Sequence, residues 1–131
     1  MEPPTEDVSA LAVRRRWLVW SAFAVCWTAA LIAPIRDEHK WLITEWQFDL
    51  KFLVAKTLHV GCYALFAMLT GWLRAPQRVR WLLIFILMGH ATLTEMIQEH
   101  VPGRSGHLHD VAWDHLGIAI GLMLTWKWWR D

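Results

Sequence analysis

Four apolar runs divide the chain: Trp17 to Ile35, Phe52 to Leu73, Trp81 to about Ile97, and Val111 to Trp129. A helix rising 1.5 Å per residue needs about 20 such residues to cross about 30 Å of hydrocarbon, and each run is close to that length. The pattern predicts an all-α polytopic membrane protein, with transmembrane helices at about 17–35, 52–73, 81–99 and 111–129. Arg14, Arg15 and Arg16 precede the first run, an order that secretory signals share. A signal core spans only about 7–15 residues. This run is longer and rich in Trp, so it reads as a retained helix.

The polar stretches complete the architecture. Residues 1–13 are expected to form a disordered cytoplasmic tail, whose part from Met1 to Ala10 is polar, acidic and Pro-containing. Residues 14–131 then form one four-helix transmembrane domain. Arg36 to Lys51 mixes charges with Trp41, Trp46 and Phe48, the composition of a segment lying among headgroups. The other connections, RAPQRVR and VPGRSGHLHD, are short, which makes consecutive helices antiparallel neighbours. In that arrangement eight Lys and Arg (Arg14, Arg15, Arg16, Arg74, Arg78, Arg80, Lys127, Arg130) fall on one side and five (Arg36, Lys40, Lys51, Lys56, Arg104) on the other. The richer side is expected to be cytoplasmic, which puts both termini there. Trp17, Trp20, Trp72, Trp81, Trp126, Trp128 and Trp129 sort to the same side, and Trp41, Trp46 and Trp113 to the opposite one, as interfacial anchors.

Composition agrees with this reading. Of 131 residues, 56% are hydrophobic and 19% charged, with eleven Trp and a mean hydropathy of +0.27. Four spans leave little of such a chain for a soluble catalytic domain. A net charge of +1 gives no general attraction for nucleic acid, so the position of each charge matters more than the total. Cys26 and Cys62 lie within apolar runs, where buried thiols are expected and a disulfide is not.

The exception to the apolar pattern is TEMIQEHVPGRSGHLHDVAWDHLG, residues 94–117, which gathers ionisable groups between two apolar runs. The antiparallel order places the ends of three helices together. They carry Lys56 and His59; Glu95, Gln98 and Glu99; and Asp110 and Asp114. At 100° per residue, Lys56, His59 and Tyr63 share an arc of about 60°, and Glu95, Gln98 and Glu99 one of about 100° with Met88 and Ala91. Asp110, Asp114, Gly117 and Gly121 form a third stripe, whose G-x-x-x-G admits a neighbouring helix at close range. Lys56 and Arg104 supply two positive charges against four from Glu95, Glu99, Asp110 and Asp114. Raised carboxyl pKa values, protonated histidines or a divalent cation are the routes to balance.

No cofactor is required by these residues. His107, His109, Asp110 and Asp114, with His59, are candidate metal ligands, although their spacing matches no zinc signature. His90 and His115 lie off the polar stripes and are expected to bond a neighbour or to face the lipid boundary. Lys51, Arg74 and Arg78 are expected to be solvated. The loop PGRSG offers backbone N–H groups, Arg104 and Ser105 to an anion such as phosphate.

These positions resemble the VanZ-like family of small multi-span membrane proteins, whose founding member is associated with resistance to glycopeptide antibiotics, chiefly teicoplanin. The family pattern, K-x-x-H-x-x-x-Y, E-x-x-Q, a loop Arg, then D-x-x-x-N-x-x-G, reads here as Lys56, His59, Tyr63; Glu95, Gln98; Arg104; Asp110, Asp114, Gly117. The likeness covers about residues 50–129, and the chain departs from it in having Asp114 where the family has Asn. The resemblance implies a protein of the bacterial cytoplasmic membrane that binds or modifies envelope lipid or cell-wall precursor groups at the outer leaflet. Another reading of the same residues is a phosphohydrolase or transferase acting on a lipid-linked phosphate. His59, Glu95, Asp110 and Asp114 would then be catalytic, and Lys56, Tyr63, Gln98, Arg104 and Ser105 would bind substrate. Glu95 and Glu99 before PGRSG are similar in part to the E-x-x-x-E and P-G-x-S-R-S of undecaprenyl-pyrophosphate phosphatases, which are much longer. A third reading is a structural helix bundle. The oligomeric state is left open.

Overall fold

A computed structural model describes residues 8–34, 48–103 and 108–130, and within them it is all-helical. The helices are α1 (Val8–Ile32), α2 (Phe48–Trp72), α3 (Gln77–Gln98), α4 (Leu108–Leu124) and the single turn α5 (Trp126–Trp129). The segment 35–47 between α1 and α2, read above as interfacial, lies outside the described residues.

The boundaries follow from local chemistry and depart from the hydrophobic runs. Helix α1 starts at Val8, so residues 8–13, expected in the tail, are helical. VSALAVRRR is rich in Ala, Leu and Arg, all good helix formers. The helix stops two residues before Pro34, whose ring disfavours helical backbone in the residue ahead of it. Pro76 begins α3 from φ −52° and ψ 142°, where its missing N–H leaves no bond unmade. After α3, Gly103 takes φ 79°, a left-handed turn that suits glycine. Helix α4 ends at Leu124, short of the expected 129, because Thr125 leaves helical geometry at φ −109° and ψ 16° while its hydroxyl donates to the Gly121 carbonyl at 2.7 Å.

Helices α2 and α4 form the tightest pair, and they run parallel. Gly117 lies against Val60 and Tyr63, and Gly121 against Ala64 and Ala67, so the register advances by four on both helices. A Cβ at Gly121 would approach the Ala67 Cβ to 2.8 Å and would also collide with the Ala64 carbonyl. Helix α1 runs antiparallel to α2 through a ladder of rings. Trp20 meets Phe66 at 5.3 Å between centroids, Phe23 meets Phe66 at 5.2 Å, and Trp27 meets Tyr63 at 6.1 Å. All are edge-on, a geometry that adds about 0.5–1.5 kcal/mol per pair beyond burial. Helix α3 closes the core with Ile84, Leu87 and Ala91.

The end of the bundle carrying Arg16 and Arg80 is tied by arginines to exposed carbonyls. Arg16 donates to the Trp72 carbonyl at 2.6 Å and lies over the Trp72 ring, and Arg80 donates to the Trp128 carbonyl and lies over the Trp129 ring. These contacts satisfy carbonyls that a helix end leaves without partners and place positive charge at the negative end of its dipole. Arg80 is therefore buried, whereas Arg74 and Arg78 are exposed, as expected of solvated charges. Trp20, Trp81 and Trp129 pack into the bundle instead of standing at its rim as anchors. Trp20 Nε1 donates to Thr70 Oγ1 at 2.9 Å, which lets an indole be buried with its N–H satisfied. Both cysteines are free thiols, but neither is fully buried as expected: Cys26 is exposed and Cys62 partly so.

The Gly121 contact is tested by substitution. Gly121→Ala is expected to lower the unfolding free energy in detergent by about 1–3 kcal/mol. Gly61→Ala and Gly89→Ala, where an added Cβ meets nothing within 4 Å, should not lower it and are expected to raise it by up to about 1 kcal/mol, because both lie inside helices. Equal stability of all three variants would contradict the packing.

Candidate functional site

At the opposite end of the bundle three helices converge. Helix α2 brings Lys56, His59 and Tyr63, one above another on one face; α3 brings Glu95; α4 brings Asp110 and Asp114. Because α2 and α4 are parallel and in register, their polar residues pair rung by rung. Lys56 forms an ion pair with Asp110, and one turn further in the His59 Nδ1–H donates to Asp114 Oδ1 at 2.9 Å. Glu95 Oε1 stands 3.8 Å from the same nitrogen. Ligand-capable atoms of His59, Glu95 and Asp114 all lie within 4.8 Å of one another.

This cluster is sheltered from water. Asp114 is 0% exposed and Glu95 2%, whereas His59 and the Lys56–Asp110 pair are half-buried. The Trp27 indole covers His59 edge-on at 5.8 Å. Asp114 Oδ2 is buried and has no hydrogen-bond partner among the described residues.

A neutral network lies beneath. The Thr28 hydroxyl donates its one proton to the Ala24 carbonyl at 2.7 Å, so at 2.9 Å it accepts from His90 Nε2–H. The His90 Nδ1 is then the acceptor for the Tyr63 O–H at 3.1 Å. Thr94, which donates to the His90 carbonyl at 2.9 Å, completes the wall. His90 thus bonds neighbours as expected, and so does His115, whose Nδ1 sits 2.7 Å from the Val111 carbonyl. Helical stripes did not reveal that Thr28, Trp27, His90 and Thr94 line this site; the only trace of them is polar residues standing inside apolar runs.

The remaining candidates separate. Gln98 is buried, but its amide donates to the Leu31 carbonyl at 2.9 Å and so closes the end of α1. Tyr63 is wholly buried and faces His90, which makes it a support for the site. Glu99, grouped with Glu95 by its angle, is exposed at the end of α3, and His109 is exposed at the start of α4. Of the expected metal ligands His59, His107, His109, Asp110 and Asp114, His59 and Asp114 join the cluster, the described His109 and Asp110 do not, and Glu95 enters beside them. Arg104, Ser105 and His107 lie outside the described residues.

The hydrogen-bond assignment beneath the site makes a testable claim. Tyr63→Phe and Thr28→Val should each cost about 1 kcal/mol, and the double mutant should cost clearly less than the sum, because both act through His90. Strict additivity would refute the chain.

No curated protein and no solved structure matches the sequence. The family model described as VanZ/LLP1 matches residues 9–130, a stretch that takes in all of α2 to α5, nearly all of α1 and every residue of the cluster. The chain belongs to the VanZ/LLP1 family.

Proposed function

We propose that this VanZ/LLP1 protein spans the bacterial cytoplasmic membrane four times with both termini inside. In this reading its His59 site lies beneath the outer headgroups, where it binds or modifies an anionic group of an envelope lipid or cell-wall precursor. The observation that carries the reading is the meeting of His59, Glu95 and Asp114, from three separate helices, within 4.8 Å. Ionisable groups are costly inside a membrane domain and are retained there chiefly for function.

The membrane part rests on two supports. Leu53–Trp72 and Gln77–Gln98 are long and apolar enough to cross a bilayer. Large apolar side chains also stand exposed around the bundle, among them Phe85 at 67%, Met123 at 68% and Leu124 at 70%, a surface suited to acyl chains and poorly suited to water. Helix α4, at 17 residues, is about 26 Å long at 1.5 Å per residue, and α5 extends it. The arginine-rich end then faces the cytoplasm. A green fluorescent protein fused after residue 130 should fluoresce, and alkaline phosphatase fused after Gly103 should be active. The opposite pair of results would invert the topology and put the site on the inner face.

A catalytic reading has its own support in the His59–Asp114 bond, since a carboxylate on Nδ1–H orients an imidazole for general-base work. Attack on a lipid-linked phosphate, with Arg104 and Lys56 stabilising charge, is the reaction class it suits. A contribution to glycopeptide resistance is the physiological expectation that the resemblance adds. Mass spectrometry of lipid retained by purified protein separates the readings. His59→Ala and Arg104→Ala should lose a specific anionic lipid, and Glu95→Gln should lose it, or lose its turnover, while still melting as a folded protein. Unchanged lipid content in all three would sink the headgroup site. A Glu95→Gln protein that no longer folds would favour a structural bundle.

A further inference from the structure

We infer that His59, Glu95 and Asp114 bind a divalent transition-metal cation of the Zn2+ or Mn2+ type. The inference deepens the headgroup site and rests on that reading only for the fourth ligand, an anionic oxygen supplied by the bound group.

Three features point to a cation. The donor set is one imidazole nitrogen and two carboxylates, and three protein ligands with an open position are the arrangement of catalytic zinc sites. Mixed nitrogen and oxygen donors also favour Zn2+ or Mn2+ over Mg2+ or Ca2+, which prefer oxygen throughout. The second feature is Asp114 Oδ2. It is buried, has no hydrogen-bond partner among the described residues, and belongs to the carboxylate whose other oxygen is 2.9 Å from His59 Nδ1. A buried carboxylate oxygen without a donor is costly, and a cation that takes both Asp114 oxygens removes that cost. The third is spacing. Ligands held at about 2.0–2.1 Å around one ion stand roughly 3.0–3.4 Å apart. Here His59 Nδ1 and Asp114 Oδ1 stand 2.9 Å apart and no pair exceeds 4.8 Å, which is close to that spacing.

The surroundings suit the role. On binding, the cation takes the place of the proton on His59 Nδ1, and the ring carries its proton on Nε2 instead. Trp27 packs against the ring, and the pair Lys56–Asp110 lies one turn outward. Neither the expected His109 nor the exposed Glu99 is required.

The test uses the full chain in detergent, stripped with a chelator and titrated calorimetrically with Zn2+, Mn2+ and Mg2+ salts alone, with bound metal counted by mass spectrometry. One equivalent of Zn2+ or Mn2+ should bind. His59→Gln and Asp114→Asn should each weaken it by at least about tenfold, and His115→Ala, on the same helix as Asp114, should not. Two substitutions of similar size guard against one of them failing to fold, and melting curves identify such a case. Folded wild-type protein that takes up no stoichiometric metal, or that keeps its affinity in both variants, overturns the inference. If that protein still retains its anionic lipid, the headgroup reading survives without a metal. Metal bound as described with no lipid retained supports the inference and removes the headgroup reading.

Discussion

The structure depends on the close parallel approach of α2 and α4. Gly117 and Gly121 remove the side chains that would hold the two backbones apart, and Val60 and Ala64 occupy the space. Helices that touch this closely cannot slide, since moving either by one residue would bring a Cβ into a carbonyl. That fixed register sets Lys56 opposite Asp110 and His59 opposite Asp114. The glycines and the acids sit on one stripe of α4, so the part that packs and the part that carries chemistry are two ends of one surface.

Around that pair the bundle solves two different electrostatic problems. At one end the difficulty is backbone: carbonyls at helix ends lack partners, and Arg16, Arg80 and Gln77 supply donors to them. At the other it is side chains: two wholly buried carboxylates share one imidazole, beneath an ion pair that water still reaches. The second leaves Asp114 Oδ2 without a partner among the described residues, and unsatisfied buried polar groups are often found at functional sites.

Much of this was legible in the residues. The 3.6-residue period sets Lys56, His59 and Tyr63 on one face and Asp110, Asp114, Gly117 and Gly121 on another, and short connections bring the helix ends together. Periodicity tells which residues share a face, but not which neighbour covers it. Gln98 therefore looked like a ligand-facing group, although its partner is the Leu31 carbonyl of a helix far away in the chain. His90 looked peripheral because Thr28, which gives it a role, belongs to another helix. Glu99 shares an angle with Glu95 but lies where α3 ends, and the final turn releases it to solvent. Trp20 and Trp129 were read as anchors, and threonine hydroxyls instead let them enter the core. Helix α4 ends where Thr125 departs from helical backbone angles, and no hydropathy pattern encodes that.

The partners in the tightest contact are not consecutive in the chain; the whole of α3 is made between them. While a ribosome is still producing α3, the face of α2 bearing Val60 and Ala64 has no mate, and His59 has no acid from α4 beside it. Only when the final long helix arrives do the two close and the cluster of His59, Glu95 and Asp114 come together. Maturation of the site is thus a late event in biogenesis, and a chain cut short before α4 would hold its histidine and glutamate without the aspartate that joins them.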